Sequence, residues 1–327
     1  MAVSKVAIGP QGLNVSALGL GAMVLSGTYG SPDLAQSETA FKRAVELGVT
    51  LIDTADLYGD GANESFLAPL VAPVRDDIVL ATKCGLTRSP TGSPVPNGRP
   101  EHVAKAIDGS LGRLGVDHVD LYYLHRVDPA VPIEDTIGAM SQLVAAGKVG
   151  SLGVCAVTAE QLERANSVFP ITAVQSEWSL AERTFETEVL STARALGVGI
   201  VAFFPLGRGF LAGAFDADVA FSNDDRSGDS RFAPQNLPHN LVVLEGLRAM
   251  ATGLGLTIAQ LSLAWLKAQG SDVIPIPGLE RIEYIEESVA ALAVDLGAAE
   301  LAELDALFHQ GAIRGGRQDP GRPPADK

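Results

Sequence analysis

Short apolar stretches that alternate with helical patterns constrain the fold of this chain more than any other feature of its sequence. Eight such stretches, each of which we interpret as a β-strand, lie near residues 15–21, 50–53, 77–83, 119–124, 149–155, 171–175, 198–203 and 272–276. Alternation of this kind implies parallel strands joined by right-handed crossovers. Alternation alone does not separate a closed barrel from an open doubly wound sheet, but eight is a number of strands at which a barrel closes around its own side chains.

Composition excludes several classes of protein. The 327 residues exceed the roughly 250 that an α/β barrel typically needs. A formal net charge of −15 argues against a nucleic-acid partner, which calls for a basic patch. Two cysteines, Cys84 and Cys155, predict no disulfide framework, and no Cys/His cluster has metal-ligand spacing. No signal peptide or long apolar run is recognised, so we expect a cytoplasmic protein that binds no metal and no membrane. The sequence leaves the oligomeric state open.

Polar side chains stand where three of the predicted strands end. Asp53 ends one strand and Tyr58 follows it in a loop, Lys83 ends the next strand, and His125 ends the one after that. Because the carboxyl ends of barrel strands converge on one site, we expect these four side chains to meet. Taken singly, each has another explanation: a helix N-cap for Asp53, loop packing for Tyr58, a solvated charge for Lys83 and a satisfied core histidine for His125.

The same four residues resemble the catalytic motif of the aldo-keto reductases, and the resemblance runs from about Val15 to about Ser288. The segments 121–128 (LYYLHRVD) and 205–211 (PLGRGFL) are similar to the bacterial and plant branch of that family. The resemblance implies an α/β fold, a (β/α)8 TIM barrel in a single domain over residues 1–327. It also implies NADPH laid across the barrel top and a small-molecule carbonyl substrate.

The resemblance further implies a reaction and a role for each of the four residues. The expected activity is NAD(P)H-dependent reduction of an aldehyde or ketone to an alcohol, with Tyr58 as general acid. A free tyrosine has a pKa near 10, and a neighbouring ammonium lowers it by stabilising the phenolate. Lys83 supplies that charge, Asp53 holds Lys83 in place, and His125 orients the substrate oxygen.

The family's cofactor contacts fall mostly at the ends of five of the strands. They correspond here to Gly21, Met23, Cys155, Gln175, Phe203, Phe204, Pro205, Leu206, Gly207, Gly209, Pro277, Gly278, Leu279, Arg281, Glu287 and Ser288. There is no Gly-x-Gly-x-x-Gly sequence opening a helix after a strand, so no Rossmann fingerprint is present. The resemblance implies that Phe203 stacks on the nicotinamide and that Arg281 pairs with the 2′-phosphate of NADPH.

Five of the cofactor positions depart from the family pattern: Cys155, Ala156, Phe204, Leu279 and Glu280. Neither alanine nor phenylalanine offers a hydrogen bond, and a thiol offers only a weak one. These departures leave three functions open. The first is a reductase with reduced affinity for NADPH or a preference for NADH. The second is a redox-neutral lyase, dehydratase or isomerase that reuses the four residues, and the third is a non-catalytic interaction protein.

Several segments outside the strands are expected to shape the site. The resemblance implies that residues 1–14 form a hairpin on the barrel floor. The composition predicts long loops at residues 85–100 and 216–240 and a partly disordered tail at residues 311–327. Tyr29, Arg126 and Trp178 are the substrate candidates. Arg126 has an alternative partner in Asp128 or another loop acid, and Trp178 has an alternative role in packing.

Overall fold

The computed structural model describes residues 3–215, 221, 225–278 and 280–316. Within them the strands are β1 Lys5–Ile8, β2 Leu13–Ser16, β3 Leu20–Gly21, β4 Leu51–Asp53, β5 Val79–Cys84, β6 Leu86–Arg88, β7 Pro94–Pro96, β8 Val119–Leu124, β9 Val149–Cys155, β10 Ile171–Glu177, β11 Gly199–Phe203 and β12 Val273–Ile276. The α-helices are α1 Leu34–Glu46, α2 Ala62–Val71, α3 Pro100–Leu114, α4 Ile133–Ala145, α5 Ala159–Val168, α6 Thr184–Glu188, α7 Leu190–Ala195, α8 Leu237–Leu254, α9 Ile258–Ala268, α10 Ile282–Ala291 and α11 Ala298–Leu307.

Eight of the strands form one parallel sheet in the order β3-β4-β5-β8-β9-β10-β11-β12. The two edges of this sheet meet. Gly19 N–H donates to Pro275 C=O at 2.9 Å, and Gly21 N–H donates to Pro277 C=O at 3.0 Å. A Cβ on Gly21 would lie 2.8 Å from the carbonyl oxygen of Ile276, so the close approach needs glycine. The expected closed (β/α)8 barrel is confirmed.

Each barrel strand is buried on both faces, and alternate side chains belong to two separate cores. Leu51 and Tyr123 belong to the cluster inside the barrel, whereas their neighbours Ile52 and Tyr122 pack outward against the helices. This alternation is the period of two that every strand imposes. Burial on both faces explains why the strands appear in the sequence as continuous apolar runs.

The hairpin β1–β2 covers the amino-terminal end of the barrel, and it extends beyond the predicted boundary at residue 14. Val15 and Ser16 pair with β1 instead of belonging to the first barrel strand, which comprises only Leu20 and Gly21. Ser16 is tied to the next strand by side-chain bonds: its N–H donates to Thr50 Oγ1 at 2.8 Å, and its Oγ accepts from Thr50 N–H at 2.8 Å. The mostly apolar segment from residue 15 to 20, interrupted by Ser16 and Gly19, concealed this division.

The three segments predicted to be irregular are partly ordered. Residues 85–100 contain the antiparallel pair β6–β7. The predicted loop 216–240 has 3₁₀ turns at Asp225–Gly228 and Ser230–Phe232, and its last residues belong to α8, which begins at Leu237. Residues 216–220 and 222–224 lie outside the described residues. Of the tail, residues 311–316 dock on this segment: Asn240 Oδ1 accepts from Arg314 N–H at 2.8 Å. Residues 317–327 are also outside the described part.

Two absences concern only the described residues. No single helix among them is long and apolar enough to span a membrane; by length and composition alone the bent pair α8–α9, with 88° between its members, passes that test. No group of three or more His, Cys, Asp or Glu side chains within these ranges is arranged to hold a metal ion.

Candidate active site

The four polar strand-end residues meet at the carboxyl end of the barrel. The ammonium of Lys83 donates to Asp53 Oδ1 and, at 2.8 Å, to the carbonyl oxygen of Thr54. Its third partner is Tyr58, whose Oη lies 3.3 Å from Lys83 Nζ. The rings of Tyr58 and His125 meet edge to face, with 5.8 Å between their centroids. The geometry thus brings together every member of the group expected from the sequence.

Asp53 is held from two directions, which fixes the group further. Its second oxygen, Oδ2, accepts from the side-chain amide Nε2 of Gln175 at 2.8 Å. Gln175 lies on β10, across the barrel interior from β4. One carboxylate therefore connects the Lys83 strand to the strand that carries a predicted cofactor contact.

Burial dominates the protonation chemistry of this group. Burial lowers the pKa of Lys83, but the charges of Asp53, Tyr58 and Cys155 and the hydrogen bond to Asp53 together outweigh it, so the pKa of Lys83 lies above its ordinary value. Burial raises the pKa of Tyr58, and Lys83 offsets only part of that rise. The expected net lowering of the Tyr58 pKa is therefore not found. The phenol stays protonated at neutral pH, which is the form that donates a proton.

A cavity of about 890 Å³ opens above these residues. Three of the four, Asp53, Tyr58 and His125, line it, whereas Lys83 lies behind them. Most of the other predicted contacts also line it: Gly21, Met23, Tyr29, Arg126, Gln175, Phe203, Phe204, Pro205, Leu206, Gly209, Pro277, Gly278, Glu287 and Ser288. The cavity thus extends from the Tyr58 loop across the strand ends to the start of α10.

Two predicted contacts are packed away from the cavity and are corrected here. Cys155 is only 1% exposed and belongs to the core inside the barrel, where burial raises the pKa of its thiol to about 12. Trp178 is fully buried, its Nε1 donates to Glu186 at 2.9 Å, and its ring packs edge to face on Trp265 of α9.

Three further predicted contacts are not at the cavity wall or not described. Gly207 is buried beneath its neighbours Leu206 and Arg208, which do line the wall. Arg281 is exposed beside Tyr284, with 5.8 Å between the guanidinium and the ring centroid. Leu279 lies outside the described residues. The alternative pair of Arg126 with Asp128 is not formed within the described residues: Asp128 accepts instead from the N–H groups of Gly98 at 3.0 Å and Ala130 at 2.8 Å.

Sequence reasoning missed Arg208 and Arg226, which both line the cavity. Arg208 has a φ of 60° and its guanidinium lies 4.7 Å from the ring centroid of Phe204. The Arg226 guanidinium lies 4.6 Å from the ring centroid of Tyr29, on the opposite wall. The sequence carried a signal for the first of these, since Arg208 stands between two glycines in the loop after β11, where backbone with positive φ is common.

The wall between β11 and α10 suits a ligand with phosphate groups. Two guanidiniums, Arg208 and Arg226, face the same cavity, and guanidinium groups match phosphate oxygens in geometry and charge. Glycine backbone at Gly209 and Gly278 allows a ligand to approach the main chain closely. Glu280 also lines this wall, and burial raises the pKa of its carboxyl while Arg281 and Arg226 oppose the rise. A nicotinamide dinucleotide fits this arrangement of residues.

Comparisons with known proteins agree with this geometry. Residues 17–308 match the sequence model of a family described as the Aldo/keto reductase family. A relative from Glycine max, named "Probable aldo-keto reductase 1", is 39% identical over 317 residues, which is 96% of this chain and 92% of that protein.

Two solved structures share the fold along nearly their whole length. The glycerol dehydrogenase AKR11B4 from Gluconobacter oxydans superposes with a TM-score of 0.86 at 27% identity, covering 98% of this chain and 99% of that one. The thermostable aldo-keto reductase Tm1743, solved with the inhibitor epalrestat, gives a TM-score of 0.74 at 28% identity and covers 93% and 99% of the two chains.

Proposed function

Because the chain belongs to the aldo-keto reductase family, we propose that it reduces an aldehyde or ketone to an alcohol with NADPH, using Tyr58 as the general acid. The observation that carries this proposal is the contact of Lys83 with both Asp53 and Tyr58 beneath the cavity. An ion pair with a purely structural role needs neither a phenol in contact with its ammonium nor a cavity above it. A proton donor for a bound carbonyl needs both.

The proposed proton transfer follows from the protonation states of the group. A bound reduced nicotinamide supplies the hydride. Tyr58 gives its phenolic proton to the carbonyl oxygen, and the Lys83 ammonium at 3.3 Å stabilises the phenolate that remains. His125, beside the Tyr58 ring, hydrogen-bonds the same carbonyl oxygen and fixes the substrate for attack. Water returns the proton to Tyr58 after the alcohol leaves.

The cofactor is held, in this proposal, by the residues that line the far part of the cavity. Gln175 orients the carboxamide, Phe203 stacks on the nicotinamide ring, and Arg208 and Arg226 pair with phosphate oxygens. Glu280 stands near Arg226 and Arg281 and opposes a 2′-phosphate, so the preference for NADPH over NADH is expected to be modest.

Tyr58→Phe tests the mechanism. Removing the phenolic proton should lower kcat by about 10²–10⁴-fold, the usual contribution of a general acid. The Kd for NADPH, measured by calorimetric titration, should change by less than about twofold. Tyr284→Phe is the matched control, since it removes a phenol at the far end of the same cavity.

Three other outcomes would redirect the proposal. Full activity of Tyr58→Phe would remove Tyr58 from its role as acid. If NADH bound more tightly than NADPH, the preference for NADH would be assigned to Glu280 in the cavity wall between β11 and α10. Binding of neither nucleotide would contradict the reductase and turn the substrate screen to elimination and isomerisation on the same four residues.

A further inference from the structure

The loop that carries Tyr58 separates two cavities. One side borders the large cavity of the candidate active site, and the other borders a second cavity of about 430 Å³ whose far wall is α3. Leu57, Leu86 and Arg88 line both cavities and form the partition. Solvent in the second cavity therefore reaches the back of the loop without passing through the space that cofactor and substrate fill.

Asp56 lies in this partition, at the point where the loop is tied to β5. Its backbone N–H donates to the carbonyl oxygen of Lys83 at 3.3 Å. Two residues later, the N–H of Tyr58 donates to Ala55 C=O at 3.2 Å, so Asp56 lies within the turn that presents the phenol. A displacement of Asp56 changes the 3.3 Å separation between Lys83 Nζ and Tyr58 Oη.

The side chain of Asp56 lies in a polar cluster that has more carboxyls than cations to pair with them. Glu64 of α2 is fully buried, and its two oxygens are taken by the Thr82 hydroxyl at 2.6 Å and by Arg113 Nε at 2.7 Å. Asp56 Oδ1 is buried and has no hydrogen-bond partner within the described ranges of the chain. The Asp56 carboxyl accepts a hydrogen bond from the backbone N–H of Leu57, but a carboxylate with one buried oxygen left unpaired is still costlier in this place than a carboxylic acid.

We propose that Asp56 is a positioning residue whose charge state sets how the Tyr58 loop lies against the Lys83 strand, and so controls the contact through which the phenol is activated. This inference rests on the proposed role of Tyr58 as the general acid. When Asp56 is neutral, the cluster contains one carboxylate and one guanidinium, and the loop keeps the conformation described above. When Asp56 ionises, a second carboxylate appears beside Glu64 without a cation of its own, and repulsion moves the loop.

The charges around Asp56 place its ionisation in the physiological range. Burial and, after it, the charge of Glu64 raise the pKa of Asp56 to about 7, while Arg113 and Lys83 oppose the rise. Within the described residues Lys83 pairs with Asp53 and Arg113 with Glu64, and no ion pair joins Asp56 to either cation.

None of the other titratable groups described around Asp56 changes its charge when Asp56 ionises. Burial raises the pKa of Cys84 on β5 and that of Tyr122 on β8, so both stay neutral. On α3, burial and then Lys105 lower the pKa of His102, which keeps that ring neutral as well. At the rim, Asp60 and Arg88 pair with each other at 2.7 Å.

The sign of the effect follows from these charges. The neutral form prevails below pH 7 and the ionised form above it, so the rate of carbonyl reduction should fall as the pH rises through about 7. At pH 8.5 about one chain in 30 still has a protonated Asp56, because that pH is about 1.5 units above the pKa of about 7. Tyr58 cannot account for a fall in this range, since burial holds its pKa above the ordinary value.

The test compares pH profiles of kcat between pH 6 and 9 at saturating NADPH and a simple aldehyde substrate. Asp56→Asn fixes the neutral form and should remove the fall near pH 7, so that at pH 8.5 it exceeds the native chain by up to about 30-fold. Asp60→Asn is the matched control: it lies on the same loop but is exposed, and it should keep the native profile.

Each outcome decides something. A profile of Asp56→Asn that still falls near pH 7 overturns the proposal. If that variant does not fold, the native chain is labelled with ¹³C at its aspartate carboxyls and titrated by infrared spectroscopy instead. The proposal is then overturned if no aspartate carboxyl titrates over the pH range in which the rate falls. If the native chain is active but its kcat does not change with pH, only the role of Asp56 is contradicted. If the native chain is inactive, or if Tyr58→Phe is fully active, the proposed function itself is contradicted.

Discussion

Lys83 shows how much one buried charge can organise at the scale of single residues. Its ammonium has three N–H groups, and three oxygens receive them: those of Asp53, the Thr54 carbonyl and Tyr58. The side chain is 1% exposed, so water does not compete for these bonds. The direction of each bond is therefore fixed before any substrate arrives, which is the condition for electrostatic stabilisation without reorganisation.

Replacing Glu280 should change which nucleotide the chain prefers. Glu280→Gln removes a partly buried negative charge from the cavity wall near Arg226 and Arg281. We expect the affinity for NADPH relative to NADH to rise about tenfold, since relieving one like-charge contact is worth about 1.4 kcal/mol in such a site. Calorimetric titration with both nucleotides measures the ratio.

Glu283→Gln is the control for this change, because Glu283 is an exposed acid in the first turn of α10 and does not line the cavity. Equal ratios in Glu280→Gln and the native chain would show that the 2′-phosphate binds elsewhere.

Sequence could place Asp53, Lys83 and His125 because each stands at or next to the carboxyl end of a strand, and parallel strands in a barrel end on one face. It could not place Trp178, whose position depends on packing against Trp265, a residue far along the chain. It also could not find Arg226, which comes from an irregular segment without a periodic pattern to orient its side chain.

At the scale of elements, the segment between β11 and α8 is held to the barrel by a buried ionic group. Arg231 donates to Glu177 at the end of β10 at 2.7 Å and to Asp229 Oδ2 at 2.8 Å. Arg208 of the cavity wall lies 3.9 Å from the same Asp229 oxygen. This group therefore connects the long loop, the sixth barrel strand and the predicted phosphate-binding wall.

Arg231→Met should destabilise the chain strongly, because it leaves the buried Glu177 without its cation and, within the described residues, Asp229 with only Arg208 at 3.9 Å. Breaking a buried pair in this way costs about 3–5 kcal/mol. Urea unfolding followed by circular dichroism measures the loss. Arg248→Met removes an exposed arginine paired with Glu245 at 3.3 Å and should cost less than about 1 kcal/mol. Equal losses in the two variants would show that the buried group contributes no more than a surface pair.

At the scale of the whole molecule, the barrel closes at its shortest strand. β3 has two residues, and its contact with β12 depends on glycine backbone at Gly21. Strand number and order followed from the sequence because the buried strands are continuous apolar runs. The bounds of the closing strand did not follow, because the segment from residue 15 to 20 gives no sign of where the floor hairpin ends and the barrel begins.

The floor hairpin has a consequence for the order of events during folding. It precedes in the chain every strand that it covers, and Ile8 packs with barrel residues that extend as far as Ile274. Its docking surface therefore exists only after the barrel has assembled, so docking should come after the rate-limiting step. Ile8→Ala, at a cost of about 2–5 kcal/mol, should accelerate unfolding and leave the refolding rate nearly as it was, which stopped-flow fluorescence can resolve. Slower refolding would instead mean that the segment nearest the amino terminus helps to gather the strands that follow it.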